Sequence, residues 1–133
     1  MKTLNDTKPS MHEFLAVTDG WRKDFHVDKL GVIVFQNKEM LTNVRFTNQS
    51  FHAIAKHSRG VENLPLAIQT PSEIWSYWGD VQQSITMRNY ILFGSNITYI
   101  CTTKDGVITD AQGVTPSRAN SFRKGLLLWK ASG

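Results

Sequence analysis

The sequence predicts an α+β fold in which N-terminal helices pack on a C-terminal antiparallel sheet. Helix-starting signals dominate the first half of the chain, whereas short segments rich in β-branched and aromatic residues follow one another from residue 88 onward. Helices followed by consecutive strands are typical of this fold class. A chain of 133 residues suits one folded unit, and its 41% hydrophobic and 20% charged residues are normal for a globular protein.

The first helix is predicted in the stretch PSMHEFLAV. Ser10 can cap it, and Glu13 follows three residues later, as in a capping box. We expect the helix to break or fray at Gly20. The next stretches, KLGVIVFQ and NVRF, predict two short strands because they are rich in β-branched residues.

Three further helical stretches are predicted before residue 80. TNQSFHAIAKHSRG has Thr47 or Asn48 as a cap and ends at Gly60. LPLAIQ is predicted to form a short helix or turn. TPSEIWSYW is predicted to start a helix, because Thr70 can cap it and Pro71 suits the first turn.

The C-terminal part is predicted to form a meander of short strands. Gly-Ser-Asn and Lys-Asp-Gly supply the turns, and Asp-Gly is a strong hairpin signal. A short helix or loop is expected at ANSFRKG. The predicted strands are RNYILF, ITYICTT, VITDAQGV and LLLWKA.

Residues 1–27 are predicted to be a helical extension, and residues 28–133 a single α+β domain. The start lacks the apolar core of a signal peptide, and no run approaches membrane-spanning length. We therefore expect a cytoplasmic protein without a membrane partner, acting in the host or target cell, or a part of a larger delivered phage or toxin protein. Cys101 is the single cysteine and is predicted to be a buried structural thiol.

The basic residues are unevenly distributed. The net charge is +4 with a pI of about 9.4, which permits a polyanionic partner without requiring one. The stretch from Val44 to Gly60 contains three cations and no carboxylate, and the stretch from Ala111 to the C-terminus contains four cations and no carboxylate. Two such stretches, far apart in sequence, can fold onto one face.

The histidines of the first basic stretch suggest RNA cleavage. Cleavage without metal needs a base for the 2′-hydroxyl proton, an acid for the leaving oxygen and cations around the phosphate, and histidine can perform either proton transfer. On a helix His52 and Lys56 share a face, whereas His57 lies about 140° from His52. Arg59, like Lys56, can stabilise phosphate charge. The competing interpretation is a solvated basic helix end, which we favour on these residues alone.

A zinc site is the other use of two histidines, and the spacing argues against it. His52 and His57 are five residues apart, and the Glu of an H-E-x-x-H motif is missing. His12 and His26 are too isolated to complete a ligand set. We expect neither a metal nor another cofactor.

The second basic stretch follows a predicted strand and reads DAQGVTPSRANSFRKG. Its hydroxyls and guanidinium groups can bind phosphate oxygens, although Thr-Pro-Ser also suits an ordinary turn. The aromatic residues of EIWSYW can stack bases, but we favour a core role for them. The candidate phosphate ligands of this stretch are Thr115, Ser117, Arg118, Ser121 and Arg123.

The order of these elements resembles the barnase, EndoU, colicin and RelE-like superfamily of phage and toxin nucleases. The resemblance covers residues 28–131, approximately, and rests on HAIAKHSRG, TPSEIW, an Arg-led strand, an Asp-Gly turn and VTPSRANSFRKGLLLW. It implies a metal-independent endoribonuclease that forms a 2′,3′-cyclic phosphate, often from tRNA. In this resemblance His57 corresponds best to the superfamily's helix histidine, and His52 is the second candidate. Thr115 corresponds to the hydroxyl of the late loop, and Arg88 corresponds to the start of the first meander strand.

From the resemblance we expect a toxin or phage effector. Its catalytic residues are predicted to be His57, His52, Lys56 and Thr115. Its substrate-binding residues are predicted to be Arg59, Arg88, Ser117, Arg118, Ser121 and Arg123. Its partners are expected to be RNA and an acidic immunity or antitoxin protein. The alternative is a non-catalytic RNA- or protein-binding phage module, an inhibitor or structural protein, on the same fold.

Overall fold

The computed structural model describes residues 10–39, 41–55, 61–78, 85–94, 96–115 and 127–131. These residues form an α+β fold with two antiparallel sheets, which confirms the predicted fold class. The helices are α1 (Met11–Asp24), α2 (Asn48–Ala55) and α3 (Leu64–Gln69), and a 3₁₀ turn at Val61–Asn63 precedes α3. The strands are β1 (His26–Val27), β2 (Ile33–Asn37), β3 (Thr42–Phe46), β4 (Glu73–Trp78), β5 (Ile85–Leu92), β6 (Ile97–Thr103), β7 (Ile108–Val114) and β8 (Leu127–Ala131).

Helix α1 begins as predicted and ends later than predicted. The Glu13 amide donates to the Ser10 hydroxyl at 3.1 Å, and the Ser10 amide donates to the Glu13 carboxylate at 3.2 Å, which completes the capping box. The expected break at Gly20 is wrong, because the helix continues to Asp24. Glycine costs a helix interior about 1 kcal/mol, whereas burying the neighbouring Trp21 contributes more than that.

Strands β1, β2 and β3 form a three-stranded sheet in sequence order. Alternate residues of β2 point inward, so that Ile33 and Phe35 are fully buried. The Trp21 ring meets Phe35 and Phe46 edge-on, with ring centroids 5.6 and 5.3 Å apart. Helix α1 therefore shares its core with this sheet.

The predicted helix at TPSEIWSYW is wrong, because Glu73–Trp78 is strand β4. It lies between β5 and β8 and pairs antiparallel with both. Ile74 is buried opposite Tyr90, and Trp75 lies on the other face opposite Asn89. Cross-strand packing of β-branched and aromatic residues on both faces outweighs the local cap signals at Thr70 and Pro71.

Strands β5, β6 and β7 form the predicted meander, and β8 is the predicted terminal strand. Together with β4 they make a five-stranded sheet in the order β7-β6-β5-β4-β8. The predicted Asp-Gly turn joins β6 to β7, and the terminal strand β8 pairs with β4. Strands β7 and β8 lie at opposite edges of this sheet. The predicted short helix or loop at ANSFRKG lies outside the described residues.

Both faces of the five-stranded sheet carry buried apolar residues. The main core lies between the two sheets and the helices, and includes Phe14, Phe35, Ile54, Ile68, Tyr90 and Ile100. The second cluster is formed by Ile91, Ile97, Tyr99 and Val114, and half-buried Trp75 and Cys101 pack against it. Trp75 is therefore part of the protein interior, in agreement with the favoured core role for the aromatic residues of β4.

The two sheets are joined where the β6–β7 turn meets β3. The Arg45 amide donates to the Gly106 carbonyl at 2.7 Å, and Arg45 and Val107 form a parallel bridge. This junction sets β3 beside the turn. The ends of β3 contribute to two separate cavities, one lined by His52 and the other by Arg88.

Candidate functional site

The first cavity lies between α1 and α2 and has a volume of about 360 Å³. Its lining includes the exposed imidazole of His52, the carboxylate of Asp19 and the guanidinium of Arg22. Phe46 and Phe51 supply its apolar lining. We call this cavity the His52 cleft.

A hydrogen-bond network at the start of α2 positions His52. The Thr47 hydroxyl accepts from the Ser50 amide at 3.1 Å, and the Thr47 amide donates to the Ser50 hydroxyl at 3.0 Å. Serine here takes the place that Glu or Gln occupies in the usual capping box. The buried Ser50 hydroxyl also donates to the Ile108 carbonyl at the start of β7. This bond ties α2 to the sheet two residues before His52.

The opposite wall of the cleft belongs to α1. Phe14 stacks on Phe51 of α2 with ring centroids 4.7 Å apart, so the two helices contact each other through these rings. The Arg22 guanidinium donates to the Gly31 carbonyl at 2.7 Å, so its position is restrained. Asp19 lies three residues before Arg22 and therefore on the same side of the helix.

Asp19 and Arg22 are functional candidates that the sequence does not single out. Because residues 1–27 are predicted to be an extension of the domain, no residue of α1 is among the predicted site residues. Their spacing of three on an amphipathic helix shows that they share a face. The sequence does not show that this face lies opposite His52, because that depends on the packing of α1 against α2.

The chemistry of the cleft suits proton transfer beside an anion. An imidazole changes charge near neutral pH, a carboxylate accepts protons, and a guanidinium donates several hydrogen bonds to phosphate oxygens. The Thr47 hydroxyl and the Asn48 amide also line the cleft and add polar groups. The cleft thus contains the groups that general acid–base cleavage of a phosphodiester needs.

Arg88 lines a second cavity of about 190 Å³ at the other end of β3. We call this cavity the Arg88 pocket; Thr42, Tyr90, Lys104 and Gly106 also line it. Burial raises the pKa of the Tyr90 phenol, and the nearby Thr42 hydroxyl and Arg88 guanidinium partly oppose that rise. The phenol is therefore neutral at physiological pH and can donate a hydrogen bond.

The structure does not bring His52, Arg88 and Thr115 into one cavity. On β3 the nearest lining residues of the two cavities, Asn43 and Phe46, are three residues apart, which is about 10 Å along the strand. Thr115 is exposed just beyond β7, seven residues after the Ile108 carbonyl that Ser50 contacts. That distance is roughly 23 Å at about 3.3 Å per residue, and Thr115 lines neither cavity.

The other predicted site residues lie outside the described residues, so their positions relative to the two cavities are not defined. They are Lys56, His57, Arg59, Ser117, Arg118, Ser121 and Arg123. Within the described ranges, no three His, Cys, Asp or Glu side chains are grouped so that they could hold a metal ion. In the same part of the chain, no helix is both long enough and apolar enough to span a bilayer.

Comparison of the chain with protein-family models, curated proteins and solved structures found no match. The resemblance to the nuclease superfamily therefore remains a hypothesis that rests on the residues quoted for it.

Proposed function

We propose that this chain is a metal-independent endoribonuclease, a toxin or phage effector, that cleaves RNA in the His52 cleft. The observation that carries the proposal is that one cleft contains an imidazole, a carboxylate and a guanidinium from two helices held together by packed rings. The product is a 2′,3′-cyclic phosphate, tRNA is one candidate substrate, and an acidic immunity or antitoxin protein is the expected partner in the producing cell.

In the proposed reaction the 2′-oxygen attacks phosphorus and the bond from phosphorus to the 5′-oxygen breaks. His52, as an imidazolium, gives its proton to the leaving 5′-oxygen. The 2′-hydroxyl proton passes to a second group, for which Asp19 in the cleft and His57 beyond α2 are the two candidates. Arg22 stabilises the additional negative charge on the phosphate, and Lys56 or Arg59 would add to this effect.

The test is incubation of purified protein with total cellular RNA in EDTA. We expect discrete fragments with cyclic phosphate ends and a rate that falls about 10²- to 10⁴-fold in His52→Ala, which is the usual contribution of one acid–base group. Asp19→Asn and His57→Ala decide which group makes the second transfer. His12→Ala and His26→Ala are the matched controls, because both residues are exposed and neither lines the cleft. Intact RNA, or equal rates in His52→Ala and His12→Ala, would exclude this mechanism.

The second candidate function is a non-catalytic RNA- or protein-binding module. It is favoured by the placement of Arg22 and Arg88 in separate cavities, since cations spread along a surface suit binding better than cleavage at one phosphate. Such a module would bind RNA with an affinity that falls as salt rises, and His52→Ala would leave both the affinity and the intact RNA unchanged. Filter binding at several salt concentrations, run beside the cleavage assay, separates the two functions.

A further inference from the structure

Three neighbouring polar side chains on one face of the large sheet have buried atoms without hydrogen-bond partners. Arg88 of β5 pairs with Ser76 of β4 on one side and with Thr102 of β6 on the other. The Ser76 hydroxyl, the Arg88 Nε and the Thr102 hydroxyl are all buried and unpaired. Ser76 is 2% exposed and Thr102 is 1% exposed. Buried polar atoms are normally paired, so three together indicate a missing partner.

From this row, Arg88 lines the Arg88 pocket, which is rich in donors. Lys104 adds a second cation, and the Thr42 hydroxyl and the Tyr90 phenol add neutral donors. Among the described residues that line the pocket, Asp105 is the one carboxylate, and it forms no ion pair with any other described residue. Two cations and one carboxylate leave the pocket with an excess of one positive charge.

The wall that carries Lys104 and Asp105 is held in place by the backbone. The turn from Thr103 to Val107 is closed by two backbone hydrogen bonds, and its Gly106 carbonyl accepts from the Arg45 amide of β3. The pocket therefore lies between two sheets that are hydrogen-bonded to each other. Its donors are arranged before any ligand arrives, which reduces the cost of binding.

We propose that the Arg88 pocket binds a phosphate group, separately from any phosphate that is bound in the His52 cleft. A phosphate has several acceptor oxygens directed away from one centre, and this arrangement matches donors that come from two strands and a turn. The volume of about 190 Å³ is smaller than the 300–1,000 Å³ or so of pockets that enclose whole small molecules. The pocket thus takes the phosphate group, while the rest of a larger ligand remains outside. This inference does not depend on RNA cleavage.

The phosphate could come from inorganic phosphate, from a mononucleotide or from the 5′ end of an RNA chain. Three probes separate these sources: inorganic phosphate, adenosine 5′-monophosphate, and a short RNA prepared with either a 5′-phosphate or a 5′-hydroxyl. Binding of the 5′-phosphorylated RNA at least tenfold tighter than that of its hydroxyl form would identify an RNA end as the ligand. Equal affinities for inorganic phosphate and both larger phosphorylated probes would identify the phosphate group alone as the ligand.

The experiment is a titration of the ¹⁵N-labelled protein followed by NMR at the arginine Nε–H signals. The Arg88 signal, identified by its absence in Arg88→Gln, is expected to shift on addition of phosphate because its Nε–H gains an acceptor. Arg88→Gln is expected to weaken binding at least tenfold, and Lys104→Gln severalfold. Lys104 is exposed, so this second variant tests the pocket even if Arg88→Gln fails to fold. Lys23→Gln removes the same charge from an exposed site on α1 and should leave the affinity unchanged.

Two results would overturn the proposal. One is an Arg88 Nε–H signal that does not move at millimolar phosphate, since the unpaired atoms would then be satisfied by water. The other is equal weakening by Lys23→Gln and Lys104→Gln, which would show that only the overall charge of the protein matters. Neither result depends on whether the protein cleaves RNA, so failure of this inference is distinguishable from failure of the proposed function.

Discussion

At the scale of single residues, Gly106 decides how closely the two sheets approach. Its φ is +83°, and a Cβ at this position would lie 2.4 Å from the Asn43 carbonyl oxygen. We expect Gly106→Ala to reduce the free energy of unfolding by about 2–5 kcal/mol, because a left-handed alanine costs about 1–2 kcal/mol and overpacking adds about 1–3 kcal/mol. Urea unfolding followed by circular dichroism measures the change.

Gly31 provides the matched control for this prediction. Its φ is +81°, but a Cβ added there would have no atom within 4 Å. Gly31→Ala should therefore lower the free energy of unfolding only by the cost of the left-handed backbone, about 1–2 kcal/mol. If the two variants lost equal stability, the close contact with Asn43 would have no energetic role.

Residue chemistry alone identifies part of the candidate site. His52 is a predicted site residue because an imidazole suits phosphate chemistry, whereas Arg88 is predicted only by the resemblance to the nuclease superfamily; both residues line cavities in the structure. Their separation along β3 could not be predicted, because it depends on how the β6–β7 turn docks on that strand. The sequence does not predict Asp19 as a site residue for a related reason: Asp19 lies in the His52 cleft only because α1 contacts α2.

At the scale of elements, the N-terminal capping box is expected to stabilise α1 measurably. Ser10→Ala removes the acceptor for the Glu13 amide and should cost about 1 kcal/mol. Amide hydrogen exchange should become faster in the first turn of α1 while the sheets remain protected. Ser10→Asp keeps an acceptor at the cap and should retain most of the stability. Unchanged exchange in Ser10→Ala would mean that the buried Phe14 alone holds the first turn.

The elements differ in how far local sequence can predict them. The capping box and the Asp-Gly turn depend on residues three or fewer apart, and both predictions are confirmed. The prediction for strand β4 is wrong, because its Thr-Pro start resembles a helix start while its structure depends on β5 and β8. The predicted end of α1 is wrong for a similar reason. The burial of Trp21 against β2 and β3 stabilises the helix by more than the preceding glycine destabilises it.

At the scale of the whole molecule, two buried tyrosines link folding to pH. Tyr90 is 1% exposed and Tyr99 is 7% exposed, and they lie in the two separate core clusters. Burial raises the pKa of both phenols above the ordinary value of 10.0. Beside Tyr99, Cys101 and then Asp110 raise the pKa further, because negative charge on either group disfavours the phenolate. Both cores therefore require a neutral phenol.

The fold should consequently lose stability in alkali. Above pH 10 the unfolded chain releases the phenolic protons that the folded chain retains, so the unfolded state binds fewer protons and the free energy of unfolding decreases as pH rises. Below pH 10 the phenols are protonated in both states, so they do not make the free energy of unfolding depend on pH. Between pH 10 and its pKa in the folded state, each tyrosine lowers the free energy of unfolding by at most about 1.4 kcal/mol per pH unit. Urea unfolding between pH 8.5 and 11 should show a shallower decline in Tyr99→Phe than in the wild-type protein. Parallel declines would show that the Tyr99 phenol ionises as readily in the folded state as in the unfolded state.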